Sequence, residues 1–405
     1  MSLSVTILRK MKPYKLIIDN PSYIPYWFNE TFNRQFYLPL ACVRSDTPVS
    51  DNTVLSGVFN GKRFTLISRN NHNTSIFFDI NTTFRNILLT EPLNGGLNIS
   101  SVLPENILKL PPRFTRSSVK KILNFYNEHL ISKQKRPFPL WPYEESLTLL
   151  IYILVKLRVE VPFIRHDFPS KKGVVAITHD VDSEEGLKSI SGVLDIERYL
   201  DIPATYFIVG NCFKKNIGIL EMLVNTGNEL GLHGYNHSGE WTVKGKKHFL
   251  DGWDEIKQIA EDMDVRGFRS PYLSRSRRGM KILEDFFCYD SSISDTSKLS
   301  PGLNIDGCAS IYPYYITNNL IEIPITLPLD SSLIFLGFSP QKMVGLWKKK
   351  LYRILNQGGI AVLLTHTEKH FILKKENLIA YSRFLTDLKT DSTIRFQLMR
   401  DILKD

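Results

Sequence analysis

From Gly173 onward the chain alternates between short apolar runs and longer amphipathic stretches, a rhythm few architectures can absorb. Segments 173–178, 204–209, 229–232, 267–269, 321–325 and 360–365 read as buried strands. Between them, 184–200, 217–226, 249–263, 278–286 and 343–356 place apolar residues at helical spacing. Consecutive parallel strands cannot be joined by a tight turn, so each needs a crossover, and a helix is the usual one. The expectation is therefore a parallel sheet covered by helices, either open or closed into a barrel. In both forms the chemistry collects at the C-terminal ends of the strands.

Polar, chemistry-bearing residues stand where these strands should end. Thr178-His179-Asp180-Val181-Asp182 closes the first run, His233 follows the third, Arg269 the fourth and His366 the last. His233 and His237 are four residues apart, which puts two imidazoles on one helical turn or at the ends of a tight loop; either arrangement can hold a divalent ion. In Asp180-Val181-Asp182 one carboxylate can join that ion while the other stays free as a base, in either order. Two free neighbouring carboxylates would repel each other. Arg269 beside a carboxylate would favour its ionised form and fix its orientation. The Tyr272 N–H, following Pro271, could donate to an oxyanion. His366 could act as a general acid if a carboxylate orients it; Asp295, or else Asp290, could serve. His179 should point to the opposite side of its strand and is expected to be structural.

Each segment alone has an ordinary reading: Asp182 or Ser183 as a helix cap, Arg269 as a surface arginine, His366 as a core group. Their shared placement at strand ends favours a common site. No competing catalytic set is present, since the sequence contains no Gly-x-Ser-x-Gly elbow, phosphate-binding Gly-x-x-x-x-Gly-Lys loop or Gly-x-Gly-x-x-Gly fingerprint.

Residues 1–170 read differently. Strands are expected at 5–9, 14–18, 53–59, 63–68 and 75–80, with Asn60-Gly61 as a hairpin signal. Helices are expected at 117–132 and 142–157, and a junction at 162–172. This gives an α+β accessory domain over 1–165, of unassigned role, and a catalytic domain over 171–405. The net charge of +10 is concentrated in the first part: residues 1–170 hold 21 of the 51 Lys and Arg but 12 of the 41 Asp and Glu. That excess leaves contact with a membrane surface open. No nucleic-acid-binding signature accompanies it, and no nucleic-acid partner is expected. The four cysteines, at 42, 212, 288 and 308, form no Cys-x-x-Cys pair, which fits a reducing compartment. The N-terminal residues lack a signal-peptide core, and 147–155 is too short an apolar stretch for the ~20 residues of a membrane span. The expected location is the cytoplasm, with no transmembrane segment.

Taken together, the motifs resemble the polysaccharide deacetylases, carbohydrate esterase family four. Thr-His-Asp-Val-Asp (178–182), His-Gly-Tyr-Asn-His (233–237), Arg-Ser-Pro-Tyr (269–272), Tyr-Asp-Ser-Ser-Ile-Ser-Asp (289–295) and Leu-Leu-Thr-His (363–366) follow the family's five motifs in order. Ile-Pro-Ala-Thr-Tyr-Phe (202–207) resembles its second strand. Three departures stand out: Val181 separates the aspartates, as in a divergent branch using Asp-x-Asp; Gly234 replaces the usual hydroxyl residue; and Thr296 stands where a tryptophan is common.

The resemblance implies an α/β fold, a distorted (β/α)7-type barrel preceded by the α+β domain, and metal-dependent removal of an acetyl group, N-acetyl before O-acetyl, from a sugar or glycan. It assigns Asp182, His233 and His237 to one divalent ion, zinc first, with cobalt, nickel or iron also suitable. It makes Asp180 the base, held by Arg269, Tyr272 the oxyanion donor through its N–H, and His366 the acid, with Asp295 in support. A catalytically inactive carbohydrate-binding protein on the same fold, and an amide hydrolase acting on a non-sugar substrate, are the alternatives.

Overall fold

The computed structural model describes residues 14–25, 36–38, 40–88, 144–163, 172–239, 241, 244–295, 307–335 and 337–404. The strand expected at 5–9, the helix at 117–132 and most of the junction at 162–172 lie outside them.

The early strands are β1 (Tyr14–Ile18), β2 (Phe36–Leu38), β3 (Thr53–Phe59), β4 (Lys62–Asn70) and β5 (Asn73–Ile76). They form one antiparallel sheet in the order β2-β1-β3-β4-β5. Asn60 and Gly61, at φ 50° and 77°, join β3 to β4 as a two-residue turn whose twist matches the strands. The strand expected at 75–80 ends early because Asp79 starts helix α1 (Ile80–Leu88): its carboxylate accepts the N–H of Thr82 at 2.9 Å and its hydroxyl at 2.6 Å. Helix α2 (Glu144–Lys156) buries Leu147, Leu149, Leu150, Ile153 and Leu154, so it is apolar around most of its girth and belongs to the core. No described helix is long and apolar enough to cross a membrane.

The second half forms β6 (Gly173–Val181), β7 (Ala204–Ile208), β8 (Glu229–Leu232), β9 (Gly267–Phe268), β10 (Tyr289–Asp290), β11 (Tyr314–Tyr315), β12 (Ile321–Glu322), β13 (Ile360–His366) and β14 (Ile394–Phe396). The order is β11-β12-β10-β9-β8-β7-β6-β13, with β14 also on β6; only β11 runs antiparallel to its neighbour. Beyond β12 the chain reaches back to the opposite end of the sheet. Leu327 N–H donates to Val362 O at 3.0 Å, and the Thr326 hydroxyl accepts from Val362 N–H at 2.8 Å. The sheet thereby curls into the distorted barrel expected from the sequence.

Strand alternation assigns the two faces. Val174, Ala176, Phe207, Tyr289, Ile323, Ile360 and Val362 fill the interior, with Met399 and Ile402 of the C-terminal segment. Val175, Ile177, Val181, Tyr206, Ile208 and Leu363 pack outward into the large core. The helix expected at 184–200 is two helices, α3 (Glu184–Lys188) and α4 (Ser191–Tyr199), because the Ser189 N–H turns back to Gly186 O and Leu187 O. His179 faces outward as expected. There it meets Glu197 at 2.7 Å and Thr365 at 2.8 Å, and Glu197 also accepts from Tyr206 and Tyr381.

Glycine is required inside the barrel where the large rings lie. A Cβ on Gly267 would stand 2.1 Å from the Tyr289 ring, and one on Gly231 2.4 Å from Phe207. Gly267→Ala is therefore expected to destabilise the fold by about 1–3 kcal/mol, the usual cost of overpacking. Denaturant unfolding measures it; an unchanged midpoint would contradict this packing.

Candidate metal centre

The inward parity that fills the barrel continues past the strand ends. Val174, Ala176, Thr178 and Asp180 share one face of β6, so Asp180 points into the mouth of the barrel, while Val181 between the aspartates is buried in the outer core. Arg269 lies two positions beyond Gly267 and Ser291 two beyond Tyr289, and His366 is the register partner of Asp180.

Asp182 meets the histidine pair. Its Oδ1 lies 3.2 Å from His233 Nε2 and 3.2 Å from His237 Nε2. His233 and His237 sit in a loop rather than on a helical turn. Gly234 O accepts the N–H of Gly210 and Tyr235 O that of Asn211, at 2.9 and 2.8 Å, so backbone bonds brace this loop. Gly234 itself adopts φ +68°, with the Pro271 ring 3.0 Å from where a Cβ would stand. The missing hydroxyl at this position is thus the consequence of a conformation that favours glycine.

Three groups therefore converge: Asp182, His233 and His237 can bring one ligand atom each within 4.8 Å of one another. The donor set fits a cation. His233 Nδ1 lies 2.9 Å from Arg269 O, a group that can only accept, so Nδ1 carries the proton and Nε2 presents a lone pair to the site. Asp182 Oδ1 is buried and has no hydrogen-bond partner among the described residues. An ionised oxygen facing an imidazole lone pair is the arrangement a divalent ion satisfies.

Asp180 is engaged differently. Its Oδ1 accepts from Arg269 Nη1 at 2.9 Å, while its Oδ2 is 3.8 Å from His233 Nε2. Arg269 is fully buried and also donates to Thr178 Oγ1 at 2.9 Å, Ser291 O at 2.8 Å and Ser291 Oγ at 2.9 Å; its guanidinium lies 4.1 Å from the centre of the Phe207 ring. Tyr272 stands at φ 56°, its ring exposed and 4.5 Å from that of His237. The Tyr272 N–H has no acceptor among the described residues.

Asp295, expected to support His366, is a buried carboxylate that accepts from Lys350 Nζ at 2.6 Å. Asp290, of outward parity, bonds Ser292 and the Glu322 carboxyl, and burial pushes its pKa up. The partner is Asp330, whose Oδ1 lies 2.6 Å from His366 Nδ1 while Oδ2 accepts the His366 N–H at 2.9 Å. Asp330 follows the apolar run 321–325, so applying the strand-end rule to that run points to it. Burial opposes charge on His366, but the Asp330 carboxylate outweighs burial and raises its pKa to about 10.

The polysaccharide deacetylase profile matches residues 168–286. No curated protein matches the chain. Similar solved structures include a Mycobacterium smegmatis protein assigned as a polysaccharide deacetylase, 20% identical over 60% of this chain and 93% of that one, with a TM-score of 0.48. A Pseudomonas aeruginosa protein with the same assignment is 14% identical over 58% and 91%, with a TM-score of 0.47. A CE4 family pseudoenzyme from Bacillus anthracis is 19% identical over 61% and 71%, with a TM-score of 0.39.

In the metal-free protein, His366 is expected to titrate near pH 10 and to fall toward the ordinary 6.5 in Asp330→Asn. A raised histidine pKa means the ion pair stabilises the fold fully below about 6.5 and is lost as pH rises through the folded value. Imidazole NMR titration of the two proteins tests this; equal values would remove Asp330 as the partner.

Proposed function

We propose that this chain, whose residues 168–286 match the polysaccharide deacetylase family model, hydrolyses the N-acetyl group of an acetylated sugar within a glycan. The observation that carries this reading is the unequal engagement of the two aspartates. Asp182 is drawn to two imidazoles, while Asp180 is held by Arg269 with one oxygen left toward the site.

When held by Asp182, His233 and His237, a divalent ion of the zinc, cobalt, nickel or iron type supplies Lewis acidity and lowers the pKa of water. The chain's own groups supply the proton transfers and the orientation. Asp180 accepts the proton of the attacking water through the oxygen that Arg269 does not occupy. Arg269 aims that carboxylate through its bond to the other oxygen. The Tyr272 N–H donates to the oxyanion that develops on the acetyl carbonyl, where a fixed dipole counts most. His366 has Nδ1 committed to Asp330, so its proton for the leaving amine comes from Nε2. The Asp330 ion pair keeps His366 protonated, which suits a general acid and not a base. The exposed Tyr272 ring beside His237 offers a flat apolar face at the mouth of the site, of the kind on which a sugar ring can stack.

Acetate release from a panel of N-acetylated oligosaccharides tests the reading, with small N-acyl amides as the comparison. Asp180→Asn and His366→Ala are each expected to lower kcat on the order of 10²–10⁴-fold, the range for loss of a positioned acid or base, while both still bind metal. Full activity in either metal-loaded variant would remove that residue from its role. Absence of acetate release from every sugar by the metal-loaded protein would favour a carbohydrate-binding protein instead.

A further inference from the structure

We propose that Glu368 is a positioning residue that sets the Asp182 carboxylate for metal binding, and that residues 366–368 act together as a brace for residues 180–183. This rests on the reading of Asp182, His233 and His237 as the metal centre.

The two segments meet residue by residue. His366 is paired in register with Asp180 at the end of the parallel strands β6 and β13. One residue further on, the Thr367 N–H donates to the Asp180 carbonyl at 3.2 Å. Beyond that Glu368 takes over: its Oε1 accepts the Asp182 N–H at 3.0 Å and lies 3.3 Å from the Ser183 hydroxyl. The ladder that carries the base and the acid is thus extended by a side chain to the residue that meets the imidazoles. Asp182 lies just past the strand, where the backbone no longer has a ladder partner. Without Glu368 its N–H loses its acceptor among the described residues, and with it a constraint on the direction of the chain there and on the aim of its carboxylate.

The surroundings are shaped to seat this carboxylate. A Cβ at Gly186 would stand 2.3 Å from Glu368 Oε1 and 3.1 Å from Thr367 Oγ1, so the first turn of α3 leaves a gap that the glutamate fills. Ser183 is committed to both sides: its hydroxyl accepts from the Gly186 N–H at 3.1 Å as the helix cap and faces Glu368. Glu368 Oε2 is buried without a hydrogen-bond partner among the described residues. Outer-shell groups that orient a ligand have a corresponding effect on metal affinity, typically 10–100-fold when removed.

The test measures metal binding, not turnover. Zinc affinity is determined by competition with a chromophoric chelator, and the visible spectrum of the cobalt-substituted protein reports the geometry of the site. Circular dichroism and thermal unfolding of the metal-free variants verify the fold. Glu368→Ala is expected to weaken zinc binding 10–100-fold and to alter the cobalt spectrum. Glu368→Gln keeps an oxygen able to accept from the same two donors, so it is expected to stay within about threefold of the original protein. Wild-type affinity and spectrum in Glu368→Ala would overturn the proposal. So would a glutamine variant as weak as the alanine one, since that would make charge rather than position the operative property. Failure of the unaltered protein to bind zinc or cobalt would instead overturn the metal centre itself.

Discussion

A fully buried guanidinium organises the top of this barrel. Arg269 comes from the end of β9, donates to Thr178 and Asp180 on β6 and to Ser291 after β10, and rests on the Phe207 ring of β7. One side chain therefore ties four strands together at the level where the chemistry sits. A buried charge is tolerated only when its donors are matched, and removing one partner of such a pair typically costs about 3–5 kcal/mol. The same contacts that make Arg269 tolerable in the interior define where Asp180 points. Its own carbonyl accepts from His233 Nδ1, so the arginine strand also sets which nitrogen of that histidine faces the site.

Around this anchor the site obeys the pleat of the strands. Residues of one parity fill the barrel, and the next residue of that parity past the packed layer is the one that reaches the mouth. This explains the spacing of the two aspartates. Separated by Val181, they share a parity, and the valine between them turns outward to pack against the helices. The insertion that looked like a departure from the family pattern is a direct way to aim two carboxylates to one side. Gly234 is a similar case, with its place determined by a left-handed backbone against Pro271.

Much of this was legible before any coordinates. Apolar runs separated by amphipathic stretches identify parallel strands and their crossovers, because strand and helix bury their faces with different periods. The rule that chemistry gathers at strand ends singled out Asp180, Asp182, His233, Arg269 and His366, and the structure brings these groups to one mouth. What escaped was the partner of His366. Asp295 lies in the right motif, but a neighbouring helix delivers Lys350 to it, whereas Asp330 stands outside any motif and is bonded to the imidazole on both oxygens. Helix 184–200 escaped as well, since a break made by a backbone N–H turning to two carbonyls leaves the apolar spacing almost unchanged.

The sequence by itself determined which residues lie at strand ends, which face each occupies, and which chemical types are available there. These are local properties, written in the period of two along a strand and in the identity of the side chain. Only the tertiary structure decided the remaining pairings: Asp330 with His366, Lys350 with Asp295, and Glu368 beneath Asp182. The reason is physical. Parity says which side of a sheet a group points to, but distances across the mouth depend on how far each strand runs and how the sheet curls. A hydrogen bond is made or lost within less than an ångström.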